Sequence, residues 1–303
     1  MNKPDEAAAW GDFWAAELKS TAGCLPSGYL GIDAAQAKKW LEFAKTLPAK
    51  SRLLDLATGD ARVMRWILQA RKDVKPTGID RAPQLPIPPK GTKVRAGVSM
   101  EMLPFRDSAF SAVTSQFGFE YGDTSKISTE IARVLRPDGR VAILTHRQDG
   151  PILAHNLERL KQLSWVLDDQ NLIELAKRSL SLRVAGISAI PAKISLAPEE
   201  GARLFGATSA AWEIAEAVRQ SITLGQRDTV ANVRQLLDQI AAKAANERGR
   251  IASLQIACAR TADSDGFLRE ISDGGLTQLS IQPVAEAKSI PPFADWRILA
   301  RTN

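Results

Sequence analysis

Residues 53 to 61 read Leu53-Leu54-Asp55-Leu56-Ala57-Thr58-Gly59-Asp60-Ala61, an apolar run holding one acid and then a tight turn of small residues. A helical pattern follows at once from Arg62 to Arg71. Only small side chains let the backbone approach a ligand closely, and a helix that opens after such a turn directs unpaired N–H groups and a positive dipole end at it. A strand-to-helix turn of this kind narrows a 303-residue chain to a few α/β classes that hold part of a nucleotide-like ligand.

The flanking sequence supports the same class. Strand patterns at 52–56, 75–79, 94–98, 109–115 and 140–144 alternate with helices at 62–71 and 125–135, the second stopped by Pro137 and Gly139. Alternation of this kind builds a mostly parallel sheet with helices on both faces. The run Pro83-Gln84-Leu85-Pro86-Ile87-Pro88-Pro89 must be an extended loop, because closely spaced prolines remove donors and clash with a preceding helical turn. Before the first strand, helices are expected at 7–19, carrying Trp10, Phe13 and Trp14, and at 34–46, with a Gly/Pro-punctuated loop at 23–31 that holds Tyr29.

From Pro151 to about Thr261 the pattern is nearly continuous helix, with stripes such as Val230, Val233, Leu236 and Ile240. A short helix at 266–272 and strands at 276–284 and 296–301 resume the sheet. The organisation expected is therefore a helical segment at 1–50, a core at 51–150 and 262–303, and a helical insertion at 151–261. The insertion leaves directly after the fifth strand, at the edge where open α/β sheets bind ligands. It reads either as a lid or as a flanking or dimer-forming element, so a homodimer stays open.

Bulk properties exclude other classes. No apolar run is long enough to span a bilayer, and the first residues lack the basic flank and apolar stretch of a signal peptide, so a cytoplasmic protein is expected. Two cysteines and two histidines, without close spacing, exclude a metal site or a structural disulfide from the expectation. The net charge of +6 is scattered rather than clustered, which fits a solvated surface better than a nucleic-acid groove.

Ala57, Gly59 and Ala61 do not fit the G-x-G-x-x-G dinucleotide fingerprint, so a pyrophosphate cofactor is disfavoured. Asp80, at the end of the second strand, stands where a carboxylate accepts from ribose hydroxyls. At this point the chain resembles the class I S-adenosylmethionine (SAM) dependent methyltransferases, particularly the type 11 group with its quinone-biosynthesis enzymes. Leu54 to Gly59 resembles the family's first motif and Ile79-Asp80 its ribose-binding acid. Glu101 to Phe105 followed by Phe110 to Ser115 resembles its "E-x-L-P-F … F-D-V-V-x-S" stretch, and Ile131 to Arg140 the helix, turn and strand start written "ARVLKPGGR". Four departures stand out. Ala61 replaces a common glycine, which a helix start tolerates; Ser99 replaces the usual adenine-binding acid; Ser111 replaces an Asp and the proline loop a second helix.

The resemblance implies a Rossmann-like doubly wound seven-stranded α/β sheet, its last strand antiparallel, with a large all-helical insertion between strands five and six. It implies SAM as cofactor, with Asp55, Ala57, Thr58 and Gly59 at the methionine end and Asp80 on the ribose. Ser99 and Met100 then lie at the adenine, Arg81 or Phe117 on its face, and Gln116 beside them. Methyl transfer needs alignment and water exclusion, with a base only where the nucleophile must lose a proton. Three titratable groups fall beyond the strand ends: Glu120 and Tyr121 after the fourth strand and His146 after the fifth. His146 reads as a base or as a hydrogen-bonded strand-end histidine. Glu120 reads as a base, a substrate anchor or a loop anchor, and Tyr121 as a pocket wall. Trp10, Trp14 and Tyr29 are candidates for the substrate pocket. Together these favour a small organic acceptor at oxygen, nitrogen or carbon. The alternatives are an RNA or protein methyltransferase, and a non-catalytic SAM-binding regulator.

Overall fold

Strand β1 (Arg52–Leu56) is buried at every position but its first, the pattern of a central parallel strand covered on both faces. The structure, a computed structural model, describes residues 10–11, 30–186, 189–287 and 290–302. β2 (Lys75–Ile79) and β4 (Phe110–Gln116) flank β1, both parallel to it. With β3 (Lys93–Arg95), β5 (Leu135–His146), β6 (Leu276–Val284) and β7 (Ala294–Arg301) they make one seven-stranded sheet in the order β3-β2-β1-β4-β5-β7-β6. β7 runs antiparallel to both β5 and β6. This is the doubly wound, Rossmann-like sheet expected from the sequence. The strand order reverses between β1 and β4, so the switch point that holds ligands in open α/β sheets lies beyond the carboxyl ends of these two strands.

Four of the helices cover the sheet: α1 (Leu30–Thr46), α2 (Arg62–Ala70), α3 (Thr124–Val134) and, after the five named below, α9 (Ser264–Asp273). On one face Leu54, Leu56, Val113 and Ile143 pack with Ile127 and Ile131 of α3 and with Phe267 and Ile271 of α9. On the other, Trp40 of α1 meets Trp296 of β7 edge to face, with ring centroids 4.7 Å apart. The described residues of Met1–Ala154 and Ala252–Asn303 form one compact unit around this sheet, and His155–Ile251 form a second.

The second unit is built from α4 (Pro151–Ser164) after its first turn, α5 (Leu172–Val184), α6 (Ala192–Phe205), α7 (Ala210–Leu224) and the first part of α8 (Val230–Ala262). It has its own core, in which Trp165, Ile173, Ile194, Val218 and Leu237 are buried. Among the described residues no helix is long and apolar enough to cross a membrane.

Several local expectations shift, each for a physical reason. The loop expected through Gly31 ends earlier, because α1 already starts at Leu30. β3 stops at Arg95 rather than Val98: the chain turns at Gly97, where the Gly97 N–H donates to Ala82 O and the Val98 N–H to Asp80 O, away from the ladder. α3 ends at Val134, ahead of Pro137, since Leu135 already pairs with Phe110 as the first residue of β5. In α8 the stripe rotates: Val233 and Leu237 are buried, while Leu236 is 44% exposed.

Gly274, after α9, marks the closest backbone approach to α3. A Cβ there would lie 2.3 Å from Ser128 Cβ and 2.7 Å from Ser125 O. Gly274→Ala is expected to destabilise the protein by about 1–3 kcal/mol through overpacking. Urea denaturation checks this: the midpoint should fall with the slope unchanged, and an unmoved midpoint would show that the two helices separate freely.

Candidate active site

The turn after β1 is backbone under strain. Ala57, Gly59 and Ala61 have φ of 51°, 50° and 60°, the left-handed region, where each non-glycine residue costs about 1–2 kcal/mol. The expectation that a helix start tolerates Ala61 is thereby corrected, because Ala61 takes the left-handed conformation just before α2 and bears a cost that glycine would avoid. Two buried carboxylates hold the turn in place. Asp80, 8% exposed, accepts from Gly59 N–H at Oδ2 and from Ala82 N–H at Oδ1, both at 2.9 Å. Asp55, 1% exposed, accepts from Thr58 Oγ1 at 2.6 Å and Thr114 Oγ1 at 2.7 Å. The Thr58 N–H also donates to Ile79 O at 2.9 Å, tying the turn to the end of β2. On the other side the turn touches the loop after β4, where a Cβ on Gly118 would lie 2.3 Å from Ala57 Cβ.

Burial dominates both acids. It pushes the Asp55 carboxyl up to about 7 against the lowering effect of the two threonine hydroxyls. It also raises Asp80, where backbone N–H donors at Ala82, Gly59 and Arg81 counter it.

At the ends of β4 and β5 a second cluster forms. Glu120, fully buried, accepts at Oε1 from the His146 backbone N–H at 2.9 Å and pairs with His146 Nδ1 at 2.8 Å. A carboxylate only accepts, so paired with an ionised Glu120 the His146 Nδ1 is the donor. The His146 ring stacks on Phe117 at 4.1 Å and meets Tyr121 edge-on at 5.8 Å; Tyr121 in turn meets Trp10 at 5.9 Å. Phe117 has φ of 55°, rare for a bulky residue, and one face of its ring is taken by His146.

The remaining expected residues fall around these two clusters. Ser99 and Met100 are half-buried beyond β3, with Ser99 Oγ accepting from the Glu101 N–H at 3.2 Å, and Arg81 is exposed. The Gln116 side chain is engaged by Trp40 and Gln36. Trp14 and Tyr29 lie outside the described residues.

Three residues that sequence patterns did not point to come from the end of α8, within the stretch read as insertion. Arg260 Nη1 donates to Glu120 O at 2.7 Å and to Gly122 O, and Thr261 Oγ1 donates to His146 O at 2.8 Å. Buried Cys258 lies beside Glu120, and burial with that charge pushes its thiol up to about 12, an inert group. No local motif marks them, since each acts on a loop more than a hundred residues away in sequence.

Residues 54–143 match the protein family described as "Methyltransferase domain". The chain is also 34% identical over 104 residues to a demethylmenaquinone methyltransferase of Thermus thermophilus, covering 32% of this chain and 47% of that protein. It is 32% identical over 118 residues to the Thermotoga maritima enzyme of the same name, covering 38% of this chain and 51% of that one. A 2-phytyl-1,4-naphtoquinone methyltransferase of Synechocystis is 41% identical over 58 residues, 19% of this chain and 24% of its own length. Within the sheet unit, residues 54–143 are thus similar to a methyltransferase domain, on a seven-stranded sheet. The chain spans about half the length of the first two relatives. In the sheet unit the strained turn, the two acids and the His146 cluster all line the carboxyl edge of β1, β2, β4 and β5.

The folded Asp55 carboxyl binds its proton more tightly than the unfolded chain does, so this group favours folding in acid. Its contribution is complete below about pH 4 and is lost as pH rises through about 7. Asp55→Asn keeps the shape, and the rotatable threonine hydroxyls can serve it. Between pH 4 and 7 the wild type is expected to lose stability relative to this variant by an amount on the order of a few kcal/mol. Chemical denaturation of both proteins across that range checks it, and parallel curves would contradict the burial argument.

Proposed function

We propose that this chain is a SAM-dependent methyltransferase acting on a small hydroxylated aromatic molecule of the quinone class. The observation that carries the reading is the buried Glu120–His146 pair, which lies at the strand edge two strand positions from the strained turn, about 10 Å away. The names of the quinone-methylating relatives favour the acceptor class, and the Phe117, Tyr121 and Trp10 rings beside His146 suit a flat aromatic.

The residues present fit the cofactor. The small-residue turn and the start of α2 suit its methionine end, Asp80 its ribose, and Ser99 with Met100 its adenine. Two buried polar atoms at this edge, Gln36 Nε2 and Glu120 Oε2, have no hydrogen-bond partner among the described residues. Bound SAM supplies a methyl group on a sulfonium, already activated for displacement. His146 Nε2 takes the proton from the acceptor's hydroxyl, which raises the electron density of its oxygen and ring carbons. Glu120 holds the imidazole by Nδ1 and stabilises the imidazolium as the proton arrives. Arg260 and Thr261 fix the carbonyls of Glu120 and His146, so the pair keeps its orientation.

The test is transfer of labelled methyl from SAM to a short-chain demethylmenaquinol. His146→Ala is expected to lower kcat by about 10²–10⁴-fold. Affinity for S-adenosylhomocysteine, read by calorimetry, should stay within about twofold, since the variant leaves the turn intact. A His146→Ala enzyme at full rate would remove the base from the account, and a wild type that binds no S-adenosylhomocysteine would remove the function.

A further inference from the structure

Gln36, on α1, is fully buried, yet its Nε2 has no hydrogen-bond partner among the described residues. A buried amide donor left unpaired is costly, so a fold that keeps one in place has something to answer it. Its polarity is settled by its neighbours. The Trp40 indole Nε1 is a donor only, and it lies 2.6 Å from Gln116 Oε1. Gln116 must therefore present its oxygen to Trp40 and its Nε2 to Gln36, 3.1 Å from Gln36 Oε1. Turning the Gln36 amide over would set N–H against N–H. The relay from Trp40 through Gln116 thus fixes Gln36 Nε2 as the donor left unpaired, and Trp40 is itself held by Trp296 and Phe43.

The position of this donor is equally specific. One turn earlier on α1, Asp33 pairs with Arg62, the first residue of α2, at 3.2 Å. Gln116 closes β4, and two residues later Gly118 abuts Ala57 of the strained turn. Gln36 therefore stands above the carboxyl ends of β1 and β4, beside the start of α2, where an anionic ligand end is favoured. A donor with no acceptor capacity selects an oxygen acceptor and rejects an ammonium group.

We propose that Gln36 Nε2 binds the carboxylate of the methyl donor's methionine end and positions that end against the turn. The proposal rests on the reading that this chain binds SAM. Calorimetry with two probes tests it: S-adenosylhomocysteine, which has the aminocarboxylate, and 5′-methylthioadenosine, which lacks it. In Gln36→Met, close in volume, affinity for S-adenosylhomocysteine should fall at least tenfold while affinity for methylthioadenosine stays within twofold. Trp40→Phe, which removes the donor that orients the relay, should weaken S-adenosylhomocysteine severalfold and leave methylthioadenosine unchanged. Equal losses for both probes, or a loss under twofold for S-adenosylhomocysteine in a folded Gln36→Met protein, would overturn the assignment. A wild type that binds neither probe would instead overturn the reading beneath it. Thermal melts of each variant identify any unfolding, and a variant that melts early is replaced by Gln36→Leu in the same titration.

Discussion

The Asp80 carboxylate is the interaction on which the site depends. One oxygen takes the Gly59 N–H and the other the Ala82 N–H, so a single buried group joins the turn after β1 to the loop after β2. Without it the chain would have little reason to hold Ala57, Gly59 and Ala61 in the left-handed region, two of them against the preference of alanine. Asp55 does the same from beneath, through the hydroxyls of Thr58 and Thr114. Strain of this kind persists only where the surroundings over-determine it, and here it lies at a sheet's switch point.

From that turn the rest follows across the sheet. Ala57 meets Gly118, and the loop that Gly118 begins carries Glu120 and Tyr121 to His146 on the next strand. The end of α8 closes the loop from behind with Arg260 and Thr261. The proposed cofactor site and base are in this way joined by one contiguous run of contacts along β2, β1, β4 and β5, which suits a reaction whose main demand is alignment.

Much of this was legible in the sequence because it is local. The continuous apolar strand, the small-residue turn, Asp80 at a strand end and His146 at another are all written in short runs of neighbours. What escaped was set by tertiary contact. The strain at Ala61 needs backbone angles, and the end of α3 at Val134 depends on Leu135 pairing with Phe110. The stripe on α8 turned by one residue because burial at Leu237 rather than Leu236 is decided by the neighbouring helices. Gln36 carries no signal in sequence, since its partner Gln116 is 80 positions away and only the donor-only indole of Trp40 gives the amide its direction.

We propose that the acid-held turn is the seat of the methyl donor. Titration of S-adenosylhomocysteine into Asp80→Asn, beside the wild type, tests it most directly. A carboxylate that accepts from ribose hydroxyls is worth about 1.5–3 kcal/mol, so affinity should fall about tenfold or more while the protein stays folded. An unchanged affinity in the folded variant would contradict the account, because the cofactor would then be bound without the group that organises the site.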